Sequence, residues 1–170
     1  MLVRRPNASI PPIIDRIEIV ATFEAGLAEI EHRWPGLRYD IDAFAAHVRD
    51  RIFAQPNLLA MLSRLRISDL FLAWWTLCSD SGIAAFESEL AFELHQIVTR
   101  FVDVDPALLV EVVRVTLFVG AEDGPRIAEY TGFGSLAEWT TVVVTQICLD
   151  AVHVLVPRVR EVRAVTQRVS

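Results

Sequence analysis

Residues 131–156 read TGFGSLAEWTTVVVTQICLDAVHVLV and decide between helix and strand for this chain. Valine and isoleucine are frequent in this stretch, as they are in strands. However, Ser135 followed by Glu138 forms a capping box, which marks the start of a helix. The apolar run behind it is too long for a strand and contains no hairpin turn. We therefore predict a helix from Ser135 to Leu155, ended by Pro157, and an all-α fold.

Capping residues, prolines and glycines divide the rest of the chain into further helices. We expect one compact bundle of about six or seven of them over residues 1–170, with amino-terminal helices at 13–65, a second part at 68–156 and a tail at 158–170. The predicted helices are Ile13 to Trp34, Asp40 or Asp42 to Phe53, Leu58–Leu65, Asp69–Ser79 capped by Ser68, Ile83 to Phe101 after a turn at 80–82, Pro106 to Val119 capped by Asp105, and Pro125–Tyr130.

The composition narrows the classes of protein to which this chain can belong. Hydrophobic residues make up 53% of its 170 residues. A single small core cannot bury that many apolar side chains, so we expect a protein partner or self-association. The net charge of −6 argues against strong non-specific binding to nucleic acid. No run of about 20 apolar residues and no signal peptide are evident. We expect no membrane association and a cytoplasmic protein in which Cys78 and Cys148 are buried, reduced thiols.

Motifs for catalysis or metal binding are weak in this sequence. Glu29 with His32 has the Glu-x-x-His spacing of a di-iron site, but such a site needs a second pair and two further glutamates. Asp150 with His153 matches that second pair only imperfectly. The sequence contains no nucleophile elbow, phosphate-binding loop or dinucleotide motif. We therefore expect no enzymatic activity, no cofactor and no metal.

Three segments carry a resemblance to a known family. Residues 69–73 (DLFLA) and 80–87 (DSGIAAFE) are followed further on by 125–139 (PRIAEYTGFGSLAEW). Together they resemble region 2 of the sigma-70 family of RNA polymerase sigma factors, in its divergent, myxobacterial-type group. The resemblance covers about residues 68–156. It implies a region 2-like fold, an RNA polymerase partner, and a promoter-recognition helix that begins after the glycine turn at 131–134.

The resemblance also implies where contacts would lie. The first place is the glycine turn with its flanks, and the second is the helix at 108–119, in the place of the family's clamp-binding helix. That helix is acidic and polar in the family, whereas residues 108–119 keep only Glu111, Arg114 and Thr116. Two adjacent tryptophans are a further candidate for an interface. For these tryptophans, and for the aromatic residues of the turn, ordinary packing in the core is the alternative explanation. The candidates for DNA or partner contact are Arg126, Tyr130, Phe133 and Trp139, and those for a polymerase or partner interface are Glu111, Arg114, Trp74 and Trp75.

Departures from the family pattern change the expected function. Residues 140–156 contain no arginine or lysine, so the donors that phosphates and bases require are missing. We also expect that the domain reading the upstream promoter element is absent. The sequence thus predicts a degenerate sigma-like regulator that binds RNA polymerase, with weak or absent DNA binding. The alternative is a helical scaffold reused for protein–protein interaction or homodimerisation with no role on DNA, and an apolar pocket for a small ligand is a third class.

Overall fold

The computed structural model describes residues 13–53, 64–121 and 123–169. The α-helices are α1 (Ile13–Arg33), α2 (Ile41–Phe53), α3 (Ile67–Cys78), α4 (Asp80–Glu89), α5 (Ala91–Val98), α6 (Pro106–Arg114) and α7 (Leu136–Val169). A π-helical turn, Val115–Val119, continues α6, and a 3-10 helix spans Arg126–Glu129. Seven α-helices and no strand in these ranges confirm the predicted all-α bundle.

Side-chain caps start three of the helices where the sequence predicts them. The carboxylate of Asp40 accepts a hydrogen bond from the Ala43 amide at 3.0 Å, at the start of α2. Asp105 does the same for Ala107 at 3.0 Å, ahead of Pro106 in α6. These bonds satisfy amides that have no partner within the helix. The Ser135 hydroxyl caps α7 by accepting from the Glu138 amide at 3.4 Å.

The predicted starts of α3 and α4 are wrong by two and by three residues. α3 begins at Ile67, so Ser68 lies inside the helix, where it is buried, and it caps nothing. Arg66, the residue before the helix, is held by a contact from elsewhere in the chain, since its amide donates to Gly132 O at 2.8 Å. Residues 80–82 are the first turn of α4, because the Ser79 hydroxyl caps it by accepting from the Gly82 amide.

One predicted helix is two in the structure. The predicted helix from Ile83 to Phe101 is interrupted at Leu90, which separates α4 from α5 and adopts φ −107° and ψ 14°. Leu90 is buried, so the bend turns α5 onto the core while this side chain enters it. Tertiary packing decides this break, and no glycine or proline marks it.

The prediction that Pro157 ends the last helix is also wrong. α7 continues through it to Val169, although a proline inside a helix removes one amide donor and clashes with the preceding turn. The π-helical turn shortens α6 proper to Arg114, although the predicted end at Val119 holds for the combined segment. The predicted Leu58–Leu65 helix lies outside the described residues except for its last two positions.

The core has its aromatic centre where α1, α2 and α3 meet. Phe71 is fully buried, and its ring centroid lies 4.7 Å from that of Tyr39 and 5.1 Å from that of Phe44. A Cβ added at Gly26 would lie 2.2 Å from Ile67 Cβ, so glycine allows α1 to approach α3. Aromatic pairs in such offset or edge-on geometry add to the burial of their surface.

α7 supplies the other half of the core by packing on α5 and α6. Val144 and Cys148 are fully buried there, and burial raises the pKa of the Cys148 thiol. Cys78 is an exposed free thiol at the end of α3, so the prediction that both cysteines are buried is wrong for this one. The last turn of α3 points it outward while the same helix buries Thr76.

Candidate functional site

The glycine turn is held by the segment that precedes α3. The Arg66 amide donates to Gly132 O at 2.8 Å, and the Gly134 amide donates to Arg64 O at 3.2 Å. Both glycines have positive φ, 83° and 99°, which glycine adopts without steric cost. Main-chain hydrogen bonds to residues 64–66 therefore fix the turn on the surface, in a conformation that its two glycines allow.

Tyr130 packs the inner corner of this turn. Its side chain is 2% exposed, and its hydroxyl donates to Gly134 O at 2.7 Å. Burial, with the nearby charge of Asp69, raises the pKa of the phenol. The half-buried Trp139 meets the Tyr130 ring edge-on at 5.6 Å. Tyr130 thus serves the packing of the corner and is not accessible to a base or a partner in this structure.

Phe133 and two arginines form the outer side of the turn. Phe133 is half-buried, and its main chain pairs with that of Leu65 in an isolated antiparallel bridge. Arg64 and Arg66, on either side of Leu65, are exposed. The main chains of both arginines contact the turn, and exposed guanidinium groups are suited to phosphates and to acidic partners. The sequence analysis missed this pair because it lies more than 60 residues before the turn; the Arg-x-Arg at the start of a helix was the only signal.

The stability of Phe133→Ala measures how much of this ring is core. Phe truncation in a full core costs about 3–5 kcal/mol, and Phe133 is only half-buried, so we expect about half of that loss. Chemical denaturation followed by circular dichroism gives the value. A loss below about 0.5 kcal/mol, the range of ordinary surface substitutions, would show that the ring does not support the turn.

Asp69 connects three helices at the base of the turn. Its Oδ1 lies 3.2 Å from Arg33 Nη1 on α1, and its Oδ2 accepts from the Leu136 amide, at the start of α7, at 3.1 Å. Arg33 also pairs with Glu89. Burial alone would lower the pKa of Arg33, but the charges of Glu89 and Asp69 outweigh it and raise that pKa. The sequence analysis missed this network, which fixes the direction in which α7 leaves the turn.

The outward face of α6 and its π-helical turn is largely apolar. Leu108, Val115 and Val119 are exposed large side chains there. Of its two charged residues, Arg114 is paired with Glu87 on α4 at 2.5 Å. Glu111 is exposed and is the acidic group this face offers. A surface of this kind is typical of protein-binding sites.

A groove of about 480 Å³ runs between α6 and α7, on a different side of α6 from this face. Its lining is mainly apolar, with Val112 on one wall and Ile147 and Val154 on the other. Arg126 lies at this groove, where its guanidinium is held by Glu129 at 2.8 Å. The structure therefore separates Arg126 from the other predicted contacts at the turn and places it beside α6.

The two predicted interface tryptophans lie in the aromatic centre of the core. Trp74 is 5.3 Å from Phe44, and Trp75 is 5.9 Å from Trp34, measured between ring centroids. Both are half-buried and face α1 and α2. The structure does not bring them together with Glu111 and Arg114, so packing accounts for most of their surface.

The residues weighed as metal ligands lie on the surface. Glu29 and His32 are exposed on α1, and Asp150 and His153 are exposed on α7. Over 13–53, 64–121 and 123–169, no three His, Cys, Asp or Glu side chains come together in a metal-binding group. Within the same ranges, no helix combines the length and apolar composition that a membrane span requires.

Comparisons with known proteins do not assign the chain to a family: no protein-family model, curated protein or solved structure matches it. The class is therefore defined by the fold and the two surfaces described above. It is an all-α bundle with a fixed glycine turn flanked by arginines and, next to it in the chain, an apolar helical face.

Proposed function

We propose that this chain is a sigma-factor-like regulator that binds core RNA polymerase through α6 and does not read promoter duplex by itself. The observation that carries the proposal is the exposed apolar face of α6 with its exposed carboxylate, Glu111. By the sequence resemblance, α6 corresponds to the helix that binds the polymerase clamp. A polymerase partner and reduced thiols both agree with a cytoplasmic protein.

The chemistry of the α6 face favours a protein over nucleic acid as its ligand. Burying apolar surface contributes about 25 cal/mol per Å², and Val115 and Leu108 offer such surface at 45% and 44% exposure. Arg114, the only cation of α6, is engaged by Glu87. Phosphate binding depends on free arginines or lysines, and this face offers none among its described residues.

The exposed side of α7 argues in the same direction. Between Leu136 and Leu155 the exposed charged side chains are Glu138 and Asp150, both acidic. In the resembled family this helix reads the promoter, yet here it would repel phosphates. We therefore expect duplex binding to be weak or absent, and any contact with single-stranded DNA to come from Arg64, Arg66 and Phe133.

Val115→Glu is expected to weaken binding to purified bacterial core RNA polymerase at least about tenfold, as substitution at the centre of an interface does. Val115 is exposed, so the fold tolerates the change. Fluorescence anisotropy of the labelled chain, titrated with core enzyme, gives the dissociation constant.

The matched control is Val102→Glu, at a position 87% exposed in the loop after α5, and it should bind like wild type. Failure of the wild-type chain to bind core enzyme, or equal losses in both variants, would overturn the proposal.

A second candidate function is a protein-interaction or homodimerisation module with no role in transcription. The specific observation in its favour is the groove between α6 and α7, an apolar surface that the proposed polymerase contact at Val115 does not itself use. Self-association of a chain that does not bind core polymerase in the same titration would favour this second function.

A further inference from the structure

α1 and α2 leave an apolar groove on the surface of the bundle. The two helices follow one another after a short connection, and the rings of Phe23 and Phe44 stack between them at 6.1 Å. The groove beside this contact has a volume of about 400 Å³. Its apolar lining comes from Val20, Phe23 and Leu27 on α1 and from Ala45 and Val48 on α2.

The apolar surface continues beyond the groove along both helices. Ile17 and Val20 are exposed on α1, and Ile41 is exposed on α2. A continuous apolar face on two neighbouring helices is typical of a binding surface, whereas single exposed apolar residues are not. The apolar positions are three, four or seven residues apart, which places each set along one side of its helix: 17, 20 and 27 on α1, and 41, 45 and 48 on α2.

We propose that this α1–α2 face binds the same face of a second copy of the chain, so that two helical hairpins form a four-helix bundle across a two-fold axis. In such bundles the apolar sides of neighbouring helices form a common core. The contact is independent of the proposed polymerase contact, which uses the outward face of α6. Charge and symmetry are the reasons for choosing a second copy as the occupant.

Two opposite charges lie at the groove, one on each helix. Glu24 on α1 and Arg49 on α2 are both exposed and both line it. Among the described side chains, Glu24 takes part in no ion pair, and Arg49 pairs only with its neighbour Asp50, at 3.7 Å. That pair is weak because both of its side chains are mostly in water. Glu24 and Arg49 are therefore available to a partner.

Two-fold symmetry brings these charges together in pairs. α1 and α2 run antiparallel because a short connection joins them, and a two-fold axis parallel to both places α1 of one copy along α2 of the other at the same level. Since Glu24 and Arg49 line one stretch of groove, each Glu24 then comes beside the other copy's Arg49. The ion pair forms twice, as an interface between identical surfaces requires. Nucleic acid, whose phosphates are all negative, would be repelled by Glu24.

Sedimentation equilibrium of the full chain tests the dimer. Wild type is expected at twice the chain mass. Val20→Glu is expected to raise the dimer dissociation constant at least about tenfold, because it puts a charge at the centre of the apolar face. The matched control is Val154→Glu, which changes a valine of nearly equal exposure, 55% against 54%, in the groove between α6 and α7. It should leave the dimer intact, and circular dichroism checks that both variants fold.

Charge exchange tests the register of the two copies. Glu24→Arg and Arg49→Glu should each raise the dissociation constant at least about threefold, because each lost ion pair is formed twice. The double variant should return to within about twofold of wild type. Both positions are exposed, so these variants decide the question even where Val20→Glu fails to fold.

Three results would overturn the proposal: a wild-type chain that is monomeric at about 0.1 mM, equal effects of Val20→Glu and Val154→Glu, or a double variant no better than the single ones. Monomeric Val20→Glu should still bind core polymerase through α6, so failure of the dimer and failure of the proposed function are distinguishable.

Discussion

Asp69→Ala is expected to lower the free energy of unfolding by about 3 kcal/mol. Removing one member of a buried ion pair costs about 3–5 kcal/mol. The lower end of this range applies because Arg33 is partly exposed and retains its ion pair with Glu89. The substitution also removes the acceptor for the Leu136 amide at the start of α7. Urea denaturation followed by circular dichroism measures the loss.

Asp50→Ala provides the matched control for this substitution. Asp50 pairs with Arg49 at 3.7 Å, but both side chains are mostly exposed, at 76% and 64%. A pair of that kind contributes about 0–1 kcal/mol, so we expect a change of less than about 0.5 kcal/mol. Equal losses for Asp69→Ala and Asp50→Ala would show that the network at Asp69 does not hold α1, α3 and α7 together.

Phe71→Ala is expected to cost about 3–5 kcal/mol, the range for Phe truncation in a core. Its ring is fully buried and contacts the rings of Tyr39, Phe44 and Trp74. Tyr39 lies in the connection before α2, Phe44 on α2 and Trp74 on α3 itself, so the cavity cannot close without moving α2 against α3. Thermal and urea unfolding both report the loss.

Phe92→Ala, which changes a phenylalanine that is 71% exposed on α5, should alter stability by less than about 0.5 kcal/mol. A Phe71→Ala protein as stable as Phe92→Ala would contradict the aromatic centre described for the core.

Local signals in the sequence predicted the helices that begin at the caps Asp40, Asp105 and Ser135, whereas the predicted cap at Ser68 and the predicted end at Pro157 were wrong. Asp40, Asp105 and Ser135 each bind an amide two or three residues later, so their effect is contained in the neighbouring residues. The break at Leu90 has no such local cause, because it depends on which side chain the core accepts. The start of α3 likewise depends on Gly132, 66 residues away.

In the candidate site, too, the sequence predicted the features that neighbouring residues determine and missed the long-range contacts. The glycine turn and the packing interpretation of Tyr130 follow from neighbouring residues. The contact of Asp69 with Leu136 joins positions 67 apart in the chain, and no spacing rule connects them. Arg64 and Arg66 reach the turn only because the main chain beside them pairs with Gly132 and Gly134. Long-range contacts of this kind become visible only when the fold is known.

Photo-cross-linking from α6 tests the central claim most directly. A photo-reactive amino acid in place of Val115 is incubated with purified core RNA polymerase, and the same amino acid in place of Val102 serves as the control. The proposed function predicts a cross-link from position 115 to one polymerase subunit and none from position 102. Absence of a cross-link from position 115, or equal cross-linking from both positions, would contradict it.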